Sequence, residues 1–113
     1  MAAPKHNLTI DQGSDFVFDL VVSDKGAVKD LTGYGARAQI RPKRTSATLS
    51  ATFTCQVLSP ATQGVVKMTL PNATSSAMTP GLYFYDLEIF TAGNNLVKRI
   101  LQGEIILTPE VTR

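Results

Sequence analysis

The feature that most constrains this chain is a hydrophobic period of two. From Thr48 to Val57 every second residue is apolar: Leu49, Ala51, Phe53, Cys55 and Val57 alternate with Thr48, Ser50, Thr52, Thr54 and Gln56. Successive side chains of a strand point to opposite faces, whereas those of a helix return to one face every 3.6 residues or so. The pattern therefore predicts an antiparallel strand with one dry face and one wet face.

The same alternation recurs along the chain. Phe16, Phe18 and Leu20 oppose Val17, Asp19 and Val21, and Ala36, Ala38 and Ile40 oppose Arg37, Gln39 and Arg41. Val66, Met68 and Leu70 oppose Val65, Lys67 and Thr69, and Tyr83, Tyr85, Leu87 and Ile89 oppose Phe84, Asp86, Glu88 and Phe90. A short first strand is expected over Asn7 to Ile10 and a long last one from about Leu96 to Thr108. In that last strand Val97, Leu101, Ile105 and Leu107 share a parity that Arg99 and Gly103 interrupt, which predicts a bulge at Gly103.

Between these runs lie turn signals: Ser23-Asp24-Lys25-Gly26, Asp30-Leu31-Thr32-Gly33, Ser59 to Gly64, Thr79-Pro80-Gly81 and Thr91 to Asn95. Pro42 and Pro71 should each end a strand, because proline has no N–H for the ladder. Asn72 to Met78 reads as one helical turn with Asn72 or Thr74 as N-cap. About seven strands spaced roughly ten residues apart predict an all-β fold, an immunoglobulin-like antiparallel β-sandwich with at most one short helical turn near residues 72–78. Residues 7–108 form the sandwich, 1–6 a flexible N-terminal arm and 109–113 a C-terminal tail. No long helix is predicted that could serve a βαβ crossover, so parallel-sheet folds and their nucleotide crevices are not expected.

Composition bounds the chemistry. With 43% hydrophobic and 18% charged residues the chain is apolar enough to fold. One cysteine excludes an internal disulfide, and one histidine with no tryptophan leaves little for a metal site or a His-based nucleophile. No enzymatic activity, cofactor, metal or small-molecule substrate is expected. No apolar run approaches the roughly 18 residues of a membrane helix, and MAAPKHNLTI lacks the apolar stretch of a secretory signal. A protein folded in the cytosol, without a membrane partner, is the expectation.

Arg41, Lys43 and Arg44 form the most basic segment, but no matching stripe of aromatics and cations accompanies it, so direct nucleic-acid binding is not expected. If the strand at Ala36 to Ile40 pairs with that at Tyr83 to Phe90, Arg37 and Arg41 share an outer face with Asp86 and Glu88, and cross-strand charge pairing absorbs them. The scattered Asp11, Asp15, Asp19, Asp24 and Asp30 read as turn formers and strand-surface residues rather than as a calcium site. Cys55 reads as a buried thiol of raised pKa, and His6 as a solvated imidazole. Tyr83 and Tyr85 read as core aromatics whose hydroxyls reach backbone. Phe84 and Phe90 fall on the polar face, where they could anchor a protein interface or lie under a covering loop.

Four segments, in order and spacing, resemble the immunoglobulin-like β-sandwich modules of tailed-bacteriophage virions, including the N-terminal domain type of baseplate upper proteins and related tail-fibre or neck components. They are Leu8 to Phe16 (LTIDQGSDF), Asp30 to Tyr34 running into Ala36 to Arg41, Gly81 to Glu88 (GLYFYDLE), and Gly103-Glu104 through Thr108 to Thr112. The resemblance implies a non-enzymatic virion part, made in the bacterial cytoplasm and used in several copies to join larger components. Its partners would be other phage structural proteins and copies of itself. Its place would be the tail, baseplate or fibre-attachment region, or else a capsid or neck decoration. A baseplate upper protein would carry a long extension beyond this domain, whereas the chain ends at Arg113, so an adaptor acting through its own surfaces is the expectation. No binding residue transfers with the resemblance; Phe84, Phe90, Arg41, Lys43 and Arg44 are the interface candidates on the residue-level reading. The alternative of another class is a cellular adhesion or carbohydrate-binding sandwich.

Overall fold

The structure, a computed structural model, describes residues 4–24, 26–43, 45–46 and 48–111. Nine strands form: β1 (Leu8–Asp11), β2 (Phe16–Val21), β3 (Ser23–Asp24), β4 (Ala27–Val28), β5 (Tyr34–Arg41), β6 (Ala51–Val57), β7 (Val65–Leu70), β8 (Gly81–Thr91) and β9 (Val97–Thr108). Seven of them make one continuous hydrogen-bonded order, β1-β9-β8-β5-β6-β7-β2, and β3-β4 is a separate small hairpin. The order folds into two layers because β6 changes partners along its length. Its first half, through Phe53, pairs with β5, and its second half, from Thr54, pairs with β7. The expected all-β sandwich is what forms, with one departure: β1 runs parallel to β9, Leu8 opposite Ile105 and Ile10 opposite Leu107. No crossover helix is needed for this pair, since the whole domain lies between the two strands.

The inward parities read from the sequence are those of the core. Val66, Met68 and Leu70 of β7, Leu87 and Ile89 of β8, and Ile105 and Leu107 of β9 are fully or almost fully buried. Burying a side chain of this size contributes on the order of 1.5–3 kcal/mol. Leu49, expected to face in, lies ahead of β6 and is exposed, because the strand begins only at Ala51.

The helical turn forms as α1 (Asn72–Ala77), but neither Asn72 nor Thr74 caps it. Pro71 occupies the N-cap position, so the cap comes from another element: Asp15 Oδ1 accepts the Asn72 backbone N–H at 2.7 Å. Two 3-10 turns, Ala61–Gln63 and Ala92–Asn94, also occupy loops where no helix was expected. Around α1 a polar knot ties one end of the sandwich. Ser75, completely buried, accepts the Gly13 N–H at 3.0 Å and donates to the Ser14 carbonyl at 3.0 Å. Gln12 donates to the Met78 carbonyl at 3.0 Å and accepts the Glu110 N–H at 2.9 Å.

The irregularity in β9 is real but sits elsewhere. The register against β8 shifts between Leu87 and Glu88, which pair with Leu101 and Arg99, so Ile100 is the extra residue. Gly103 is regular strand; it is glycine because the N-terminal arm crosses it. A Cβ there would land on the His6 carbonyl oxygen. The described part of the arm runs alongside β9: the Gln102 N–H donates to Pro4 O at 3.1 Å and the His6 N–H to Gln102 O at 2.8 Å. Gly103→Ala is therefore expected to lift the arm and destabilise the fold by about 1–3 kcal/mol. Leu87→Ala, a pure cavity, should cost about 2–5 kcal/mol. Chemical denaturation of both variants measures these, and an unchanged midpoint for Gly103→Ala would remove the close-approach explanation.

Candidate functional site

The wet face of the β5-β8-β9 layer gathers most of the residues singled out above. Ladder register sets them in rows. Arg41 stands opposite Phe84, which stands opposite Glu104; Gln39, Asp86 and Gln102 form the next row, Arg37, Glu88 and Arg99 the next, and Gly35, Phe90 and Val97 the last. Arg37, Gln39, Arg41, Phe84, Asp86 and Glu88 are among the residues that line a shallow groove of about 550 Å³ open to solvent.

Charge pairing across the face follows from these rows. Arg37 Nε donates to Glu88 Oε1 at 2.9 Å, the pairing that the strand reading anticipated. Asp86 also takes Arg99 of β9 at 3.2 Å, and Arg41 donates to Gln39 Oε1 at 2.8 Å and to the Ser46 carbonyl at 3.4 Å. The sequence reading missed Arg99 because its parity matches inward-facing Leu101. The extra residue at Ile100 reverses the phase and carries Arg99, with Val97, to the outer face. Val97, grouped with the core residues by parity, is exposed for the same reason. These ion pairs are part-exposed, and solvent screening holds each to about 0–1 kcal/mol. They order the face more than they stabilise the fold.

The two phenylalanines differ in surroundings. Phe90 lies over Gly35, whose Cβ would approach its ring at 2.7 Å, and holds the Arg37 guanidinium 4.6 Å from its ring centre. Glycine at position 35 thus lets the ring settle on bare backbone. Phe84 sits on the groove wall, and Leu82 and Ile106, cross-strand partners on the same face, continue it with 52% and 53% exposure. Lys43 is exposed in the loop after β5, and Arg44 lies outside the described residues.

The remaining candidates settle into structural roles. Asp30 Oδ1 accepts from the Thr32 N–H at 2.9 Å and from its hydroxyl at 2.6 Å, which holds the Asp30 carboxyl below its ordinary pKa. Asp11 Oδ1 accepts the Thr108 hydroxyl at 2.8 Å. Tyr83 donates to the Thr79 carbonyl and Tyr85 to the His6 carbonyl, each at 2.5 Å. Both phenols thus reach backbone, as expected, and burial pushes the Tyr85 hydroxyl up to about 12. His6, expected to be simply solvated, is exposed yet stacks on Phe18 with ring centres 5.1 Å apart. Among the described residues no group of three or more His, Cys, Asp or Glu is placed to hold a metal ion, and no helix is long and apolar enough to cross a membrane.

Burial pushes the Cys55 thiol up to about 11, so at pH 8 it is almost entirely protonated. Alkylation of Cys55 by iodoacetamide should be slow at pH 8 and accelerate up to about pH 11. A rate that levels off near pH 8.5 would contradict the burial. Phe90→Ala should cost about 1–2 kcal/mol, since it uncovers Gly35 and removes the ring under Arg37. Phe84→Ala should cost less than about 1 kcal/mol. Thermal unfolding of the two variants gives the comparison, and a larger loss for Phe84→Ala would reverse the assignment.

No protein-family model and no curated protein matches this chain. Among solved structures it is similar to InlP of Listeria monocytogenes, at 13% identity and a TM-score of 0.50, over 94% of this chain and 28% of that one. It is also similar to a family 123 glycoside hydrolase from Clostridium perfringens, at 10% identity and a TM-score of 0.40, over 96% of this chain and 24% of that one. The chain thus spans roughly a quarter of the length of each. The likeness to InlP is one of fold alone.

Proposed function

We propose that the protein is a non-enzymatic structural component of a tailed-bacteriophage virion, an adaptor in the tail, baseplate or fibre-attachment region. Its partners are other structural proteins of the particle and further copies of itself. The resemblance that motivates this reading has a physical counterpart. The shared segments supply the joints of the fold: Gln12 to Asp15 bind α1, Leu31 is buried in the β4–β5 connection, Tyr83 and Tyr85 hold backbone, and Thr108 holds Asp11. Residues spent on joints leave contact with partners to the exposed strand faces.

One observation carries the choice of surface. Leu82 and Ile106 sit exposed as a cross-strand pair beside Phe84, and Arg41 stands opposite Phe84 on the neighbouring strand. An apolar pair beside an aromatic and a guanidinium, with Glu104 opposite Phe84 on the other flank, has the aromatic and Arg content in which protein-interface centres are enriched. Lys43, in the adjoining loop, and Phe90, at the far end of the face, complete the proposed contact set together with Arg44, which lies outside the described residues.

The test is incorporation into purified particles of the phage that encodes the chain. The wild-type chain should be found in washed virions by mass spectrometry and located by electron cryomicroscopy. Phe84→Ala combined with Arg41→Ala should leave the isolated domain folded and reduce incorporation by roughly thirtyfold, the loss expected for about 2 kcal/mol at an interface centre. Particles lacking the chain, or a chain recovered only as a secreted monomer that binds glycans, would favour the adhesion or carbohydrate-binding reading instead.

A further inference from the structure

The strand order ends at β2, and among the described residues nothing pairs with the outer edge of that strand. Its alternation shows which groups are unused. The Val22 N–H donates to Gly64 O across to the β7 side, so even-numbered residues turn their backbone groups inward to that ladder. Val17, Asp19 and Val21 therefore turn their N–H and C=O groups to the open edge. A second edge faces it. Among the described residues, β9 is covered by β1 from Ile105 onward and by the arm at Gln102, and none pairs with it before the extra residue at Ile100. The Thr91 N–H donates to Leu96 O, which sets the phase there and leaves the backbone groups of Val97 and Arg99 pointing away from β8.

The two edges border one groove of about 370 Å³, with Leu20, Val22 and Leu101 among its apolar lining and Lys29, Lys98 and Arg99 as its charged groups. Arg99 also holds Asp86 on the other side of the strand, and Asp19 lies on the wet face of β2. We propose that this seam is a strand-addition site whose occupant is an extended segment of another protein chain, alternating apolar with acidic residues. The backbone edges require an extended guest, because only a strand presents donors and acceptors at the ladder spacing. The lining calls for apolar side chains on one parity. The three cations select acids on the other, with the guest's acids nearest Lys29 and Lys98 and away from Asp19. The site is distinct from the Phe84 surface and stands whether or not the virion reading holds.

The experiment uses the full chain, isotopically labelled, and a capped seven-residue peptide alternating Val and Glu. Binding should slow amide exchange at Val17, Asp19, Val21, Val97 and Arg99. Lys in place of Glu in the peptide, or N-methylation of its alternate amides, should abolish the effect. Lys29→Glu combined with Lys98→Glu should weaken binding roughly tenfold. Asp19→Pro, which removes no native ladder bond, should block it while leaving the protein folded by circular dichroism. The proposal is overturned by equal binding of the Lys peptide, by insensitivity to N-methylation, or by protection elsewhere than these amides. Protection that grows with protein concentration in the absence of peptide would overturn it in favour of a second copy of the chain.

Discussion

The hydrogen bond from the Tyr85 hydroxyl joins the core to the N-terminal arm. The Tyr85 ring lies in the core against Phe53, with centres 6.1 Å apart, and its hydroxyl has to find a partner there, since a buried phenol without one costs about 1–3 kcal/mol. The partner is the carbonyl of His6. That bond brings the N-terminal arm across β9, the crossing requires a residue without a side chain at Gly103, and the arm so placed delivers β1 into parallel pairing with β9. The Tyr85 hydroxyl thus helps to hold the arm that leads into the parallel β1–β9 pair, alongside that pair's own ladder and the burial of Leu8 and Ile10. The backbone bonds of the arm go to β9, while its His6 ring stacks on Phe18 of β2, so the described arm touches β2 through a side chain and leaves the backbone edge of that strand unpaired.

Alternation made the five long strands legible, since each buries one face and any slip of register would turn its apolar set to water. The cross-strand pairing of Arg37 with Glu88 was legible too, once β5 and β8 were placed side by side. What could not be read were contacts whose cause lies far away in sequence. Gly103 looks like a flaw in β9 until His6 is known to lie on it. Asn72 looks like a cap until Asp15 is seen doing that work from 57 residues away. Ser75 carries no periodic signal, although it is the one fully buried polar side chain among the described residues. The phase reversal in β9 did mark the sequence, as the broken parity at Arg99 and Gly103, but both parities of that strand contain apolar residues, so the mark does not place the extra residue at Ile100.

The energetics separate what holds the fold from what its surface offers. The inward side chains of β7, β8 and β9 are each worth kilocalories, whereas the Arg37–Glu88 and Arg99–Asp86 pairs of the outer face, both part-exposed, are worth little. Charges arranged in this way cost the fold almost nothing to rearrange. They suit a face that exchanges internal pairs for pairs with a partner, because the exchange is nearly balanced and the decision passes to the apolar contacts of Leu82, Phe84 and Ile106.

Arg99 ties the two surfaces together. The extra residue at Ile100 sends its side chain outward to Asp86 while its backbone faces the open seam, and the same residue lines both grooves. A guest strand that draws the Arg99 guanidinium toward an acid of its own leaves Asp86 to the groove beside Arg41 and Gln39. A partner seated on the outer face that engages Asp86 releases Arg99 toward the seam. By linkage the two effects have equal size, and the Arg99–Asp86 pair, part-exposed and screened, contributes about 0–1 kcal/mol to that coupling. Through this pair the two surfaces of this domain are nearly independent in affinity, and an assembly that used both could add its partners in either order.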